Sequence, residues 1–328
     1  MTIGELLSRL RRLDVEVLAD GDKLRLSAPP GILTDELRGQ LVARKLEVLA
    51  FLRVAQSLSA PSATVVPVQS EGQGPPFFAV PGHNGDVFCY VHLARHLGNE
   101  RPFYALQPPG LDGLRRPIGT IEELADHFVK ELRARLPGGP YLLGGYCVGG
   151  SVAFETARQL RTLGEPVPLL ALMGSPSPGA FRPGQQVRAV ASRLAGRCAI
   201  HLRELRALPP ADQLRYLFDK LRERGQRRRG RNQLPDLHRH HRLRVEQATL
   251  AAMGTYRPRP FDGRISLFLP NQAWCRTDDR PLDWRALAGG SFETVCGPDD
   301  GNADTMLREP HVRWLAGELR ARLDRATA

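Results

Sequence analysis

No run of about 18 apolar residues occurs in the 328-residue chain, so a membrane-spanning helix is not expected. The opening segment MTIGELLSRLRRLDVEV has no apolar h-region, which argues against a secretory signal. Cysteine is sparse: five residues, an odd number, widely scattered as Cys89, Cys147, Cys198, Cys275 and Cys296. That distribution is not a disulfide framework, and it leads to the expectation of reduced thiols and a cytoplasmic location. Acidic residues fall short of basic ones, 35 against 46, for a net charge of +11. Much of the excess sits in LRERGQRRRGRNQLPDLHRHHRLR, Leu221 to Arg244. A basic balance favours acidic partners. No aromatic residue interleaves these arginines, however, which argues against stacking on single-stranded nucleic acid. The simplest reading of the run is a solvated loop or helix face, with no nucleic-acid and no membrane partner.

With 42% hydrophobic residues, the chain suits one full-sized globular domain plus something small. Residues 1–53 read as the small unit. Thr2 and Glu5 fit a capping box, and VEVLADGDKLRLS alternates apolar and polar residues around Asp20-Gly21, a hairpin signal. A helix capped by Thr34 follows, with Leu37, Leu41, Leu46 and Leu49 near one face. The stretches GDKLRLSAPPGILTDELRGQL and ARKLEVLAFLR resemble the tubulysin-type N-terminal docking domain of nonribosomal peptide and hybrid polyketide assembly lines. The resemblance implies a small α+β docking domain. Its partner would be a C-terminal docking peptide of an upstream synthase, added as a strand along the hairpin edge. Residues 54–75, rich in Ser, Pro, Gly and Gln, read as a linker.

From Pro76 the pattern changes to short apolar runs (FFAV, PFYAL, YLLGG, LLALM, ISLFL, FETVC) separated by amphipathic helical stretches. Thr120 and Glu123 supply another capping box. Such alternation implies a largely parallel sheet covered on both faces, an α/β fold. Residues from about 183 to 256 break the rhythm and suit a helical lid inserted over the sheet's C-terminal edge.

One segment carries chemistry. LLGGYCVGGSVAFE, Leu142 to Glu155, has the outline of a nucleophile elbow between an apolar strand and a helix, with Cys147 where serine is usual. Gly145 and Gly149 flank Cys147 at two residues each way, as the close approach of strand end and helix start requires. Tyr146 completes the elbow. The N–H of Val148 lies at the helix N-terminus, where it can hold an oxyanion and favour a thiolate. The loop VPGHNGDVF, Val80 to Phe88, follows the first domain strand, and Gly82 is the choice for the second oxyanion donor. His83 in the same loop is the one histidine that sequence logic places near the elbow. Cys89, Cys198, Cys275 and Cys296 lack this context and read as core or loop thiols.

Residues 76 to about 325 resemble the thioesterase domains of nonribosomal peptide and polyketide synthases. The matching runs include PPFFAVPGHNGDVF, LARHLGNERPFYALQPPGLDG, GPYLLGGYCVGGSVAFETARQLRTLGEPVPLLAL, YRPRPFDGRISLF and DTMLREPHV. The resemblance implies an α/β-hydrolase fold with a helical lid insertion and no bound cofactor or metal. An acyl or peptidyl chain would arrive on the phosphopantetheine arm of a carrier protein. Arg222, Arg224, Arg227, Arg228 and Arg229 are candidates for steering an acidic carrier protein.

The chain departs from the family pattern twice. The usual triad acid after the strand that follows the elbow helix is replaced by Gly174. Asp278, Asp279 and Asp283, in the loop after the next strand, are the substitutes on offer. The family base corresponds to Ala303, and His311, eight residues on, matches a position that is not catalytic in the family. Three explanations stand: Ala303 is an introduced inactivating substitution; the natural enzyme lacks this base and exchanges acyl groups between thiols; or the domain binds without catalysing. A cysteine introduced for serine at position 147 stays open as well. The corresponding functions are release of the chain by hydrolysis or cyclisation, acyl or aminoacyl transfer between carrier proteins, and a non-catalytic docking scaffold.

Overall fold

The computed structural model describes most of residues 6–48, together with 64–178, 237–276 and 284–327. The chain divides into two compact units, the first containing residues 1–57 and the second holding the remaining described residues.

In the first unit, β1 (Glu16–Asp20) pairs antiparallel with β2 (Lys23–Ser27), with Glu16 opposite Ser27 and Asp20 opposite Lys23. Helix α1 (Asp35–Ala43) is capped by Thr34, whose hydroxyl accepts from the N–H of Leu37 at 3.3 Å. Leu6, Leu7, Leu10, Val15, Val17, Leu37, Leu41 and Val48 form its core. Leu46 and Leu49, expected on the same face, and the Thr2–Glu5 capping box lie outside the described residues.

The second unit is built on a seven-stranded sheet. Its strands are β3 (Val65–Gln69), β4 (Phe77–Val80), β5 (Phe103–Leu106), β6 (Leu142–Tyr146), β7 (Leu169–Met173), β8 (Ile265–Leu269) and β9 (Phe292–Cys296). They lie in the order β3-β5-β4-β6-β7-β8-β9, all parallel except the edge strand β3. Every residue of β4, β5, β7 and β8 is buried, which is why these strands read as unbroken apolar runs rather than alternating ones. β3 falls within the stretch expected to be linker. Pro67 and the surrounding Ser and Gln hid it. An edge position with a register irregularity between Pro67 and Gln69 is where a sheet tolerates proline.

Helices α2 (Val91–Leu97), α3 (Ile121–Arg135), α4 (Gly149–Thr162), α5 (Leu237–Thr255), the short α6 (Gln272–Arg276) and α7 (His311–Thr327) complete the unit. α3 starts where expected: the Thr120 hydroxyl accepts from the Glu123 N–H at 3.2 Å and donates to its carboxylate at 2.9 Å. Phe128 of α3, Val152, Phe154 and Leu160 of α4, and Met253 of α5 pack into one apolar cluster. Leu93 of α2 and Leu315, Leu319 and Leu323 of α7 pack into a second. Fully burying each such leucine stabilises the unit by roughly 1.5–3 kcal/mol. Of the expected lid, only α5 is described, and residues 179–236, with the arginine run through Arg229, lie outside the described residues. Among those described, no helix is long and apolar enough to cross a membrane.

The strand order positions the site. After β4 the chain moves to β5 on one side, while β6 lies on the other, so the direction of winding reverses between β4 and β6. In open α/β sheets, ligands bind at the crevice outside the carboxyl ends of the strands at such a reversal. Val80 is in register with Gly145, which sets the loop after β4 beside the elbow after β6.

Candidate active site

Cys147 has φ 54°, the one positive φ at a non-glycine residue among those described. A side chain in the left-handed region costs roughly 1–2 kcal/mol, so neighbouring interactions must hold the turn. The Cys147 N–H donates to the Met173 carbonyl at 3.0 Å, its carbonyl accepts from Gly150 at 3.1 Å, and Ser151 N–H donates to Val148 at 3.0 Å. The glycines are required by contact. A Cβ on Gly145 would lie 2.4 Å from the Gly149 carbonyl oxygen, one on Gly149 2.1 Å from that of Pro81, and one on Gly150 2.1 Å from Ser175 Oγ. Gly150 was not singled out from the sequence, although the doubled glycine was its signal. The thiol of Cys147 is half-buried and not in a disulfide. Val148 is buried and caps α4, so the first amides of that helix open beside the cysteine.

The loop after β4 touches the elbow. A Cβ placed on Gly82 would lie 3.6 Å from the Tyr146 ring and 3.9 Å from Cys147 Cβ. Gly85 closes the turn by donating to the Gly82 carbonyl at 3.0 Å. The thiol of Cys89 lies close to the backbone of Gly82, chosen above as an oxyanion donor. Burial, reinforced by the nearby Asp86 carboxylate, pushes that thiol well up from its ordinary value, which keeps Cys89 protonated. His83 borders α5, where its Nε2 lies 3.2 Å from Glu246 Oε1.

Ala303 and Gly174, which the sequence resemblance matches to the family base and acid, both lie near the elbow and carry no titratable side chain. The Tyr146 hydroxyl donates to the Ala303 carbonyl at 2.6 Å. Burial pushes the Tyr146 phenol up, so it remains a donor. An Asx turn at Asn302, whose side chain accepts from Asp304 at 2.9 Å and Thr305 at 3.1 Å, fixes the same loop. Gly174 follows β7 with φ 55°, and its N–H donates to the Phe268 carbonyl at 2.8 Å. A Cβ there would meet Met306 Sδ at 2.8 Å, so a buried thioether packs against Gly174. Asp278, Asp279 and Asp283 lie outside the described residues. His311 opens α7 with Nε2 3.2 Å from Asp300. Glu246 and Met306 were missed in the sequence because neither belongs to a motif that marks it. The cysteine reading also needs correction. Cys296, at the end of β9, is disulfide-bonded rather than reduced. An odd, scattered cysteine count does not rule out a single bond between residues that the fold brings together. Cys198 and the side chain of Cys275 lie outside the described residues. Among those described, no cluster of residues could hold a metal ion.

Comparison with known proteins bears on the family and the fold. The thioesterase domain family model matches residues 75–301, and the TubC N-terminal docking domain model matches residues 3–53. Atromentin synthetase from Tapinella panuoides is 37% identical over 112 residues, 34% of this chain and 12% of that enzyme. This chain thus spans a small fraction of the length of the curated relatives it matches. A four-domain nonribosomal peptide synthetase solved with AMP and glycine superimposes with a TM-score of 0.58 at 25% identity, covering 79% of this chain and 20% of that one. The NocB thioesterase domain of the nocardicin cluster superimposes with a TM-score of 0.55 at 24% identity, over 80% of this chain and 100% of that one. With the family model covering well over half its length and an α/β-hydrolase-type sheet beneath it, the chain belongs to the thioesterase-domain family.

Proposed function

We propose that this protein takes an acyl or peptidyl chain from the phosphopantetheine thioester of a carrier protein onto Cys147 and releases it by hydrolysis or cyclisation. The observation that carries this reading is the strained backbone of Cys147 at the strand-to-helix turn of a thioesterase fold. Strain of this kind persists where the surrounding structure holds a side chain in place for chemistry. In the proposed step the Cys147 thiolate attacks the thioester carbonyl. The developing oxyanion is met by the Val148 N–H and an amide of the loop after β4, and collapse expels the phosphopantetheine thiol. The first unit then serves as the docking site for a C-terminal peptide of an upstream synthase, added at the edge of the β1–β2 hairpin.

A second reading, transfer of the chain to another carrier-protein thiol, is favoured by Gly174, Ala303 and Met306. With neither acid nor base at the usual positions, activation of water suffers most, whereas exchange between two thioesters is nearly isoenergetic and a thiol ionises near neutral pH. The test is to load a carrier protein with acyl-phosphopantetheine and follow all species by intact-protein mass spectrometry. An adduct on Cys147, absent from Cys147→Ala, is expected. Free acid or macrocycle supports release, acyl on a second carrier supports transfer, and no adduct on Cys147 overturns both.

A further inference from the structure

With the acid and base positions occupied by Gly174 and Ala303, another group must handle the acceptor's proton. We propose that His83 is the general base acting on the acyl-Cys147 thioester and that Glu246 is its positioning residue. The inference rests on the acyl-Cys147 reading above.

Three observations carry it. First, the loop bearing His83 packs directly on the elbow: a Cβ on the preceding residue, Gly82, would lie 3.9 Å from Cys147 Cβ. Second, His83 Nε2 faces Glu246 Oε1 at 3.2 Å. A carboxylate only accepts, so with Nε2 turned to Glu246 the proposal assigns the proton to Nε2 and the basic role to Nδ1. This is the base-and-orienter relation that a triad uses, made here from the loop after β4 and from α5. Third, the imidazole is 41% exposed and Glu246 30%, so the pair borders solvent and an incoming acceptor can reach it. His311, at 10% exposure, faces Asp300 instead.

The step balances without a further reagent. The acceptor, a phosphopantetheine thiol or water, attacks the thioester carbonyl carbon while His83 Nδ1 takes its proton. The tetrahedral intermediate then collapses, the bond from carbon to Cys147 sulfur breaks, and His83 returns the proton to that sulfur.

The experiment uses the full chain, loaded at Cys147 from an acyl-carrier protein, with loss of the adduct followed by intact mass in buffer and with added pantetheine as acceptor. His83→Ala is expected to form the adduct and to discharge it about 100-fold more slowly. Added imidazole should restore discharge in this variant in a saturable manner while changing the unsubstituted protein little. Glu246→Gln should slow discharge about tenfold, Glu246→Asp should recover part of that loss, and Glu246→Gln should add nothing in the His83→Ala background. His83→Ala discharging at the unsubstituted rate, or showing no imidazole rescue, overturns the proposal while leaving the acyl-Cys147 reading standing. Absence of any adduct on the unsubstituted protein overturns the reading itself, and the base assignment with it.

Discussion

Replacing Ala303 by histidine tests whether the loop after β9 still presents its side chain to the acyl group. The Tyr146 hydroxyl holds the carbonyl of residue 303 at 2.6 Å, and the Asn302 turn fixes its neighbours, so the backbone is anchored before the side chain is introduced. Ala303 is itself half-buried, at the edge of solvent. The new imidazole would lack its usual acid, because Gly174 has no side chain and Met306 Sδ fills the place where one would start, 2.8 Å from a built Cβ. In a subtilisin-type triad, losing the histidine costs about 2 × 10⁶ in rate and losing the acid alone about 3 × 10⁴, so a histidine without its acid is worth roughly 70-fold. At 1.36 kcal/mol per decade this is about 2.5 kcal/mol off the barrier to deacylation by water. The assay is single-turnover: load Cys147 in Ala303→His and in the unsubstituted chain, then follow loss of the acyl adduct in buffer. Combining Ala303→His with Tyr146→Phe should shrink the gain to a few-fold, because the carbonyl anchor is gone. Adding Gly174→Asp should bring no further gain unless Met306 is also replaced by a smaller residue. A deacylation rate within twofold of the unsubstituted protein refutes the reasoning. A gain that survives Tyr146→Phe intact refutes the anchoring part of it.

Cys147→Gly should remove the left-handed strain and raise stability by about 1 kcal/mol. That is a rise of roughly 2–4 °C in thermal unfolding of a unit this size, while the acyl adduct is abolished; a lower melting temperature contradicts the strain argument. Gly149→Ala sets a Cβ 2.1 Å from the Pro81 carbonyl oxygen, backbone that cannot rotate away, and should cost about 3 kcal/mol in denaturant unfolding; a loss under about 1 kcal/mol would mean the strand and helix can part. Glu155 is buried in α4 and accepts from Tyr256 at 2.8 Å and from Arg158 at 2.6 and 2.9 Å. Burial pushes its carboxyl up, but the bonds from Arg158, Gln159 and Tyr256 outweigh it and hold the group below its ordinary range. Its folded value being depressed, Glu155 contributes stability above the ordinary carboxylate value near 4.3, and that stability is lost as pH falls through the folded value. Tyr256→Phe should therefore lower unfolding free energy by about 1.5–3 kcal/mol at neutral pH, with the difference shrinking in acid; a difference that stays constant down to pH of about 3 contradicts the assignment.

How far the sequence reached depends on whether a feature is local. The buried parallel strands were legible because a strand covered on both faces must be apolar throughout, as in LLALM at β7. The elbow was legible because the steric demands at Gly145 and Gly149 fall on residues two positions from Cys147. β3 was hidden because an edge strand tolerates Pro67 and polar neighbours. The His83–Glu246 pair was illegible because its partners come from the loop after β4 and from α5, far apart in the chain, and only the folded sheet brings them together.

Met306 shows why the two departures at the base and acid positions belong together. A glycine at 174 alone would leave a gap beside the elbow, and burying an empty space of that kind costs stability. Instead the thioether of Met306 sits against Gly174, while the same segment carries Ala303, whose carbonyl Tyr146 holds. An acid at 174 would thus strain the backbone at φ 55° and displace a buried methionine. On the proposed reading, a serine at position 147 would be stranded by this combination, because an alcohol needs a base to attack and again to be released. A thiol is less dependent on the first requirement, since it is far more acidic than an alcohol, and the second falls on whichever group takes the acceptor's proton. Cysteine at the elbow and Met306 against Gly174 are therefore mutually consistent, and the demand that remains, a single proton acceptor, is the one proposed for the His83–Glu246 pair.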